Sequence, residues 1–432
     1  KETEKTDTGA IVLDMYHSWS TDSERGAALD KLIQEFNKEY EGTYHATLTQ
    51  IARSGDAGGY DYKVHSMYAQ QMLNTDIDTI IINLQGLGLN HGISYPVWHL
   101  LFLLVEKVQS IRLGIACNIS TVSAATTGIF EAIAYLVTVY LLCRYSTWKK
   151  ALWVMPVISG MLLIMGPLSV PALTDNYYLG QFNPNVWHNP TTIAVKGITL
   201  VVFFIYVEIM EENNRSKKQE LLLYFMAAAL LFVSAFFKPS FYQMFVPALF
   251  LYCAIELIVT KGKYLKREIG IGFTVLPVTI LAVAQMITSF GGEGDGIGIQ
   301  FMYVWHCFAR HPFGSLLISI PFPLLVYIGQ WKNIWKEKKM TLAVLAFLSA
   351  VGQFAFLYTK NTPLSGDFIW GAYLAVGILN LVAVLALCKN VKEKNKITIY
   401  HILCIAVFLL QVYYGMRYIM AIYLTSDYLH IY

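Results

Sequence analysis

Ten long apolar stretches behind residue 122 decide most of what this chain can fold into. They cover about 123–143, 151–174, 192–210, 221–237, 241–259, 268–290, 314–329, 341–358, 367–388 and 398–420. A helix needs about 20 apolar residues to cross the hydrocarbon of a bilayer. Inside that hydrocarbon the backbone must satisfy its own hydrogen bonds, so such stretches fold as helices. Only 14% of the residues are charged, where soluble domains carry about a quarter. The expected architecture is an all-α polytopic membrane protein with about ten transmembrane helices. A net charge of +3 is too small to indicate nucleic acid as a partner; membrane lipids are the expected surroundings.

The links between stretches alternate in charge. One set holds Arg144, Lys149 and Lys150; Arg215, Lys217 and Lys218; Lys261, Lys263, Lys266 and Arg267; Lys332, Lys336, Lys338 and Lys339; and Lys389, Lys392, Lys394 and Lys396. The other set holds only Lys238, Arg310 and Lys360, with Lys196 and Arg417 just inside neighbouring ends. Cytoplasmic loops are the Lys- and Arg-rich ones. The first set is therefore expected in the cytoplasm, and everything up to about Val122, with the C-terminus, outside. That placement requires either an export signal or a span upstream of Lys1. The expected location is the bacterial cytoplasmic membrane.

Three regions follow. Residues 1–50 form an extracytoplasmic extension, 51–122 an outer-face first loop, and 123–432 the ten-span domain. In the extension, Ile11–Tyr16 has strand character. Thr21 and Glu24 fit a capping box, and Leu29, Leu32, Ile33 and Phe36 recur at helical spacing up to Gly42. In the first loop, residues 95–105 are apolar but too short to span. With Trp98, His99, Glu106 and Lys107 they suit a helix lying in the membrane interface. Six scattered cysteines without a CxxC pair imply neither a disulfide framework nor a metal site. The sequence names no cofactor and leaves a divalent metal open.

Chemistry can sit in a few places. Asp61 and His65 are four apart and share one face of a helix. A carboxylate in an outer cleft can act as general base if a neighbour tunes it, with His65 orienting the acceptor. The same pair also suits a solvated helix start, where Asp61 favours the dipole. The segment Asp175–Thr191 has no Lys or Arg. Its Asn185, Trp187 and His188 suit sugar hydroxyls and ring faces, and Asp175 is a second outer carboxylate. Its two Asn-Pro pairs suit plain turns equally well. Lys238, alone between two stretches, can hold a lipid phosphate as a point charge or snorkel to the headgroups. Arg310, one turn after His306, and Arg417 are further phosphate candidates. Among acids inside the stretches only Glu131 stands well away from an end.

Several of these pieces resemble one family. Asp61-Tyr-Lys-Val-His65, His91–His99, Tyr178–Thr191 and Lys238-Pro-Ser240 look like uncharacterised bacterial members of the GT-C class of membrane glycosyltransferases, from about residue 58 onward. The resemblance implies a catalytic Asp in the first outer loop, matched here by Asp61, and a sugar donor on a polyprenyl phosphate lipid. It lacks the Asp-Glu pair of some members and the span that usually precedes the loop. Residues 11–42 resemble the start of bacterial extracellular sugar-binding proteins. The leading expectation is a glycosyltransferase at the outer face. A transporter or flippase of lipid-linked sugar, and a non-catalytic polytopic protein, are the alternatives.

Topology can be measured directly. Reporters fused after Lys150, Lys218, Lys263, Lys338 or Lys394 should report cytoplasm, and those after Asn183 or Gly294 the outside. Two or more reversals would overturn the assignment.

Overall fold

The computed structural model describes residues 11–17, 24–50, 96–113, 119–174, 176–211, 214–289, 296–360, 366–425 and 430. The protein is an all-α polytopic membrane protein. Among the described residues, eight helices are long and apolar enough to cross a membrane. They are α3 (Ile119–Tyr145), α5 (Pro190–Met210), α6 (Lys217–Phe237), α7 (Ser240–Val259), α8 (Leu265–Ser289), α13 (Lys338–Phe356), α14 (Trp370–Lys394) and α15 (Ile399–Thr425). Shorter helices complete the set: α1 (Glu24–Glu39), α2 (Pro96–Leu113), α4 (Met155–Ile164), α9 (Tyr303–Phe308), α10 (Pro312–Ser319), α11 (Pro321–Gly329) and α12 (Trp331–Ile334).

Helices α5 and α14 form the axis. Their apolar stretches are 83% and 89% buried, against 22–33% for α3, α6, α8 and α15. A helix that is apolar all round belongs inside, and one with an exposed apolar face meets lipid. Phe225, Phe250, Phe273 and Leu403 lie on such faces.

Two of the ten expected stretches are not single helices. The stretch 151–174 is helical only to Ile164 and continues extended, because Gly166-Pro167 and Pro171 cannot carry a helix forward. The stretch 314–329 is two helices, α10 and α11, bent by 75°. Pro321 lacks an N–H and pushes Ile320 out of the helical region, to φ −127° and ψ 33°.

The two breaks meet in the interior. Leu168 N–H donates to Ile318 O at 2.9 Å, and Gly166 N–H to Gln411 O at 3.0 Å. The fully buried Gln411 side chain closes the junction. Its Nε2 donates to Gly166 O at 3.0 Å and to Ser319 O at 3.4 Å, and its Oε1 accepts from Phe322 N–H at 3.0 Å. Gly415, one turn further along α15, lets the backbones touch. A Cβ there would lie 1.9 Å from Ile164 O.

The two loop sets separate to opposite ends, as the charge alternation requires. At the basic end Glu208 pairs with Arg144 and Arg215, and Glu337 with Lys339 and Lys389. Glu256 pairs there with Arg267 and Lys338. At the far end the segment 176–189, Lys238, the start of α14 and the C-terminal part of α15 come together.

Ahead of the bundle, β1 (Ile11–His17), α1 and β2 (Tyr44–Gln50) form a βαβ unit with the strands paired in parallel. The strand and amphipathic helix match expectation; β2 adds a second strand after Gly42. Helix α2 includes the apolar run and the Glu106 and Lys107 expected with it, and continues to Leu113. It buries Trp98 and Phe102 against Val122, Phe130 and Ile193.

Gln411→Leu leaves at least two buried backbone groups without partners, each costing roughly 1–3 kcal/mol. Unfolding in detergent should show a loss of about 2–6 kcal/mol, whereas Leu410→Met on the exposed face stays within about 0.5 kcal/mol. Equal stabilities would remove Gln411 from this role.

Candidate functional site

The site is built around Lys238, the link between α6 and α7. Pro239 follows it and holds it extended, at φ −167° and ψ 127°. That geometry turns its side chain into the protein, where the residue is only 5% exposed. Its ammonium donates to Asn189 Oδ1 at 2.9 Å and Thr192 Oγ1 at 2.7 Å, with Thr191 Oγ1 at 3.5 Å. It also lies 3.6 Å from the centre of the Trp370 ring, a cation–π contact. Burial holds the amine well below its ordinary pKa, and Asp367 opposes that only in part.

Asn189 is there for a local reason. It caps α5, its side chain accepting from Thr192 N–H at 3.0 Å, and Pro190 occupies the first turn. The positive end of α5 and a buried ammonium therefore share one asparagine oxygen. A cation and a helix N-terminus side by side are an arrangement that favours anions.

Aromatic rings enclose the other side. Tyr178 stands 4.4 Å from His188 edge to face and 5.7 Å from both Trp370 and Tyr373. His188 Nδ1 is 3.3 Å from Tyr418 Oη. Burial, and then the Lys238 charge, pushes the His188 imidazole down to about 3. It stays neutral at every ordinary pH, so it can donate or accept one hydrogen bond but adds no charge. Asp367, exposed, accepts from Thr359 Oγ1 at 2.7 Å, and a shallow hollow lined by Phe354, Tyr358 and Thr359 opens beside it.

The structure gathers some of the residues singled out in the sequence. Lys238 and His188 belong to one cluster. Arg417, half-buried on α15, stands beside Tyr418, and its charge acts on Tyr177. Arg310 is exposed on the link between α9 and α10, where His311 N–H holds Leu173 O at 3.0 Å. Asn185 and Trp187 face a different neighbourhood. Asn185 is 3% exposed; its Nδ2 donates to Leu162 O and Met165 O, and its Oδ1 accepts from Lys196 at 2.7 Å. That amide is engaged by the protein and shapes the loop. Trp187 is half-buried, with Lys196 Nζ 5.5 Å from its ring centre. Asp61, His65 and Asp175 lie outside the described residues.

The segment read as an outer loop, suited equally to sugar contacts and to plain turns, is mostly interior among its described residues. Tyr177, Gln181, Phe182 and Asn183 are buried. Tyr177 Oη donates to Pro167 O at 2.7 Å, Gln181 Nε2 to Leu168 O at 2.8 Å, and Tyr373 Oη to Tyr178 O at 2.6 Å. The extended strand after α4 leaves carbonyls that need these donors.

The sequence reading passed over Trp370, Asp367, Asn189 and Thr192. Asn189-Pro190 carried a readable signal as a helix start; Trp370 carried none. It also left Glu131 and Lys196 unpaired. In the bundle Lys196 Nζ lies 3.6 Å from Glu131 Oε2. Among the described residues no group of three or more His, Cys, Asp or Glu is placed to hold a metal ion. Comparison with family models, curated proteins and solved structures gave no match.

The neutral His188 sets a pH dependence. The unfolded chain takes up a proton near pH 6.5, while the folded one holds out to about 3. Stability is therefore flat well above pH 6.5 and falls as pH drops through it, by about 1.4 kcal/mol per unit at most. The thermal midpoint in detergent should drop less between pH 7 and 4.5 in His188→Gln than in the unaltered protein. Parallel curves would contradict this.

Proposed function

We propose that the protein is a membrane glycosyltransferase that moves a sugar from a polyprenyl-phosphate lipid to an acceptor at the outer face. The observation that carries this reading is the Lys238 ammonium. It is buried, hydrogen-bonded among the described residues to neutral oxygens, set at the positive end of α5, and offset only in part by the charge of Asp367. A buried charge is costly without a counter-charge, and a lipid phosphate supplies one. The end of the bundle with few basic residues is the outer one in this reading.

The roles follow from chemistry. Lys238 takes the phosphate as a compact point charge with three donors. Arg417 and Arg310, at the same end, add cationic contacts to the donor. Trp370 and Tyr178 offer ring faces to the sugar, and neutral His188 one hydrogen bond. Asp61 removes the proton from the acceptor hydroxyl, with His65, four residues later in the sequence, orienting it; Asp175 is the carboxylate to test next. A second reading, movement of lipid-linked sugar between leaflets, draws on the Glu131–Lys196 pair, because paired charges within a bundle often mark a transport path.

The test is sugar transfer from a labelled polyprenyl-phosphate donor in liposomes, at matched expression. Asp61→Asn should lower turnover by about 10²–10⁴-fold while donor binding survives. Lys238→Met should weaken donor binding roughly tenfold to a hundredfold, as loss of one charge-assisted bond does. Near-normal turnover in Asp61→Asn would remove that residue from the mechanism. Movement of the lipid between leaflets without turnover would favour transport.

A further inference from the structure

Two buried lysines grip one short loop. Lys196 in α5 donates to Asn185 Oδ1 at 2.7 Å, and Lys238 donates to Asn189 Oδ1 at 2.9 Å. The two asparagines are four residues apart, with Trp187 and His188 between them. Each ammonium has an aromatic ring beside it, Trp187 at 5.5 Å and Trp370 at 3.6 Å. The carboxylate makes the difference. Lys196 has Glu131 at 3.6 Å, whereas the hydrogen bonds of Lys238 go to neutral oxygens. An ammonium already neutralised by a carboxylate has little left to offer an anion, so Lys196 is a fixture where Lys238 is a receptor.

What Lys196 fixes can be followed atom by atom. Asn185, held by Lys196, donates to Leu162 O at 3.0 Å and Met165 O at 2.7 Å, closing the last turn of α4. Its own N–H goes to Asn183 Oδ1 at 2.9 Å. The loop then has only Val186, Trp187 and His188 before Asn189. Glu131 sits midway along α3, and its carboxylate oxygens are buried and take no hydrogen bond from the described protein groups. An acid in that place is costly; the ion pair with Lys196 offsets it and helps aim Lys196 at Asn185.

We propose that Glu131 and Lys196 are positioning residues of the Lys238 site. They set the conformation of the Asn185–Asn189 segment, and so the anion affinity of Lys238 is governed by a charge pair inside the bundle. This rests on reading Lys238 as a phosphate site, but its conformational half needs no ligand to be tested.

The experiment uses the full chain in detergent, with Val186→Cys as reporter, since Val186 is fully buried. Labelling at position 186 by a membrane-permeant maleimide is read by mass spectrometry, and affinity is read with farnesyl phosphate. Three backgrounds are compared. Lys196→Arg keeps charge and donor. Glu131→Gln with Lys196→Met removes both charges together, leaving no lone one. Glu131→Lys with Lys196→Glu keeps neutrality but sets an acceptor against the Asn185 oxygen. The last two should label at least tenfold faster and bind farnesyl phosphate at least tenfold more weakly, while Lys196→Arg stays within about threefold of the parent on both readouts. If both double variants fail to fold, Asn185→Leu, which leaves the pair intact, must reproduce the faster labelling. Labelling at the parental rate in every folded variant overturns the proposal. So does faster labelling with unchanged farnesyl phosphate affinity. If the parent itself does not bind farnesyl phosphate, the Lys238 reading fails and labelling alone decides whether the pair positions the loop.

Discussion

Everything in this molecule answers to one constraint: at membrane depth, a backbone group freed from a helix has no water to turn to. Pro167 and Pro321 free several such groups in the middle of the bundle. The solution is to place the two breaks against each other and span them with a single amide, Gln411, which gives two hydrogen bonds and takes one. Extended chain after Ile164 then becomes usable as a wall. The carbonyls it exposes draw in Tyr177 and Gln181, and the segment that carries them is pulled down into the bundle. The Asn185–Asn189 stretch ends up beside Lys238 because of backbone accounting that begins at two prolines.

Charge is distributed on the same logic. At the basic end, acids are shared among several cations near the surface, and such networks tie helix ends together. At the far end, cations are few among the described residues, and one of them, the buried Lys238, hydrogen-bonds to neutral oxygens and lies over a ring, with Asp367 offsetting its burial only in part. The two ends therefore differ in how their charges are compensated: shared ion pairs at one, a single poorly neutralised ammonium at the other. Burial makes this difference energetically sharp, because a charge pair in low dielectric interacts far more strongly than one in water.

The fold was largely legible because hydropathy over 20 residues is a strong, local signal. Eight stretches announced themselves and are single helices. The other two passed the same test, since averaging over a window hides a Gly-Pro or a Pro that only the backbone feels. The partner that makes those breaks tolerable was illegible: Gln411 reads as one polar residue in an apolar run. The site was legible in pieces. Lys238 stood out because nothing charged surrounds it in sequence, and Asn189-Pro190 reads as a helix start. Trp370 did not, since a Trp at the end of a span equally marks the membrane interface. Glu131 and Lys196 were each visible, but their pairing depends on how α3 lies against α5, which no local pattern encodes.

The Gln411 junction also has a bearing on how the chain is made. The amide that stabilises Gly166 belongs to a residue 245 positions later. Until that residue is made, Gly166 O lacks its amide partner, whereas Pro167 O and Leu168 O can already be met by Tyr177 and Gln181. The junction between the two breaks is complete only when α15 is in place, so it closes after the helices that precede α15 in the chain.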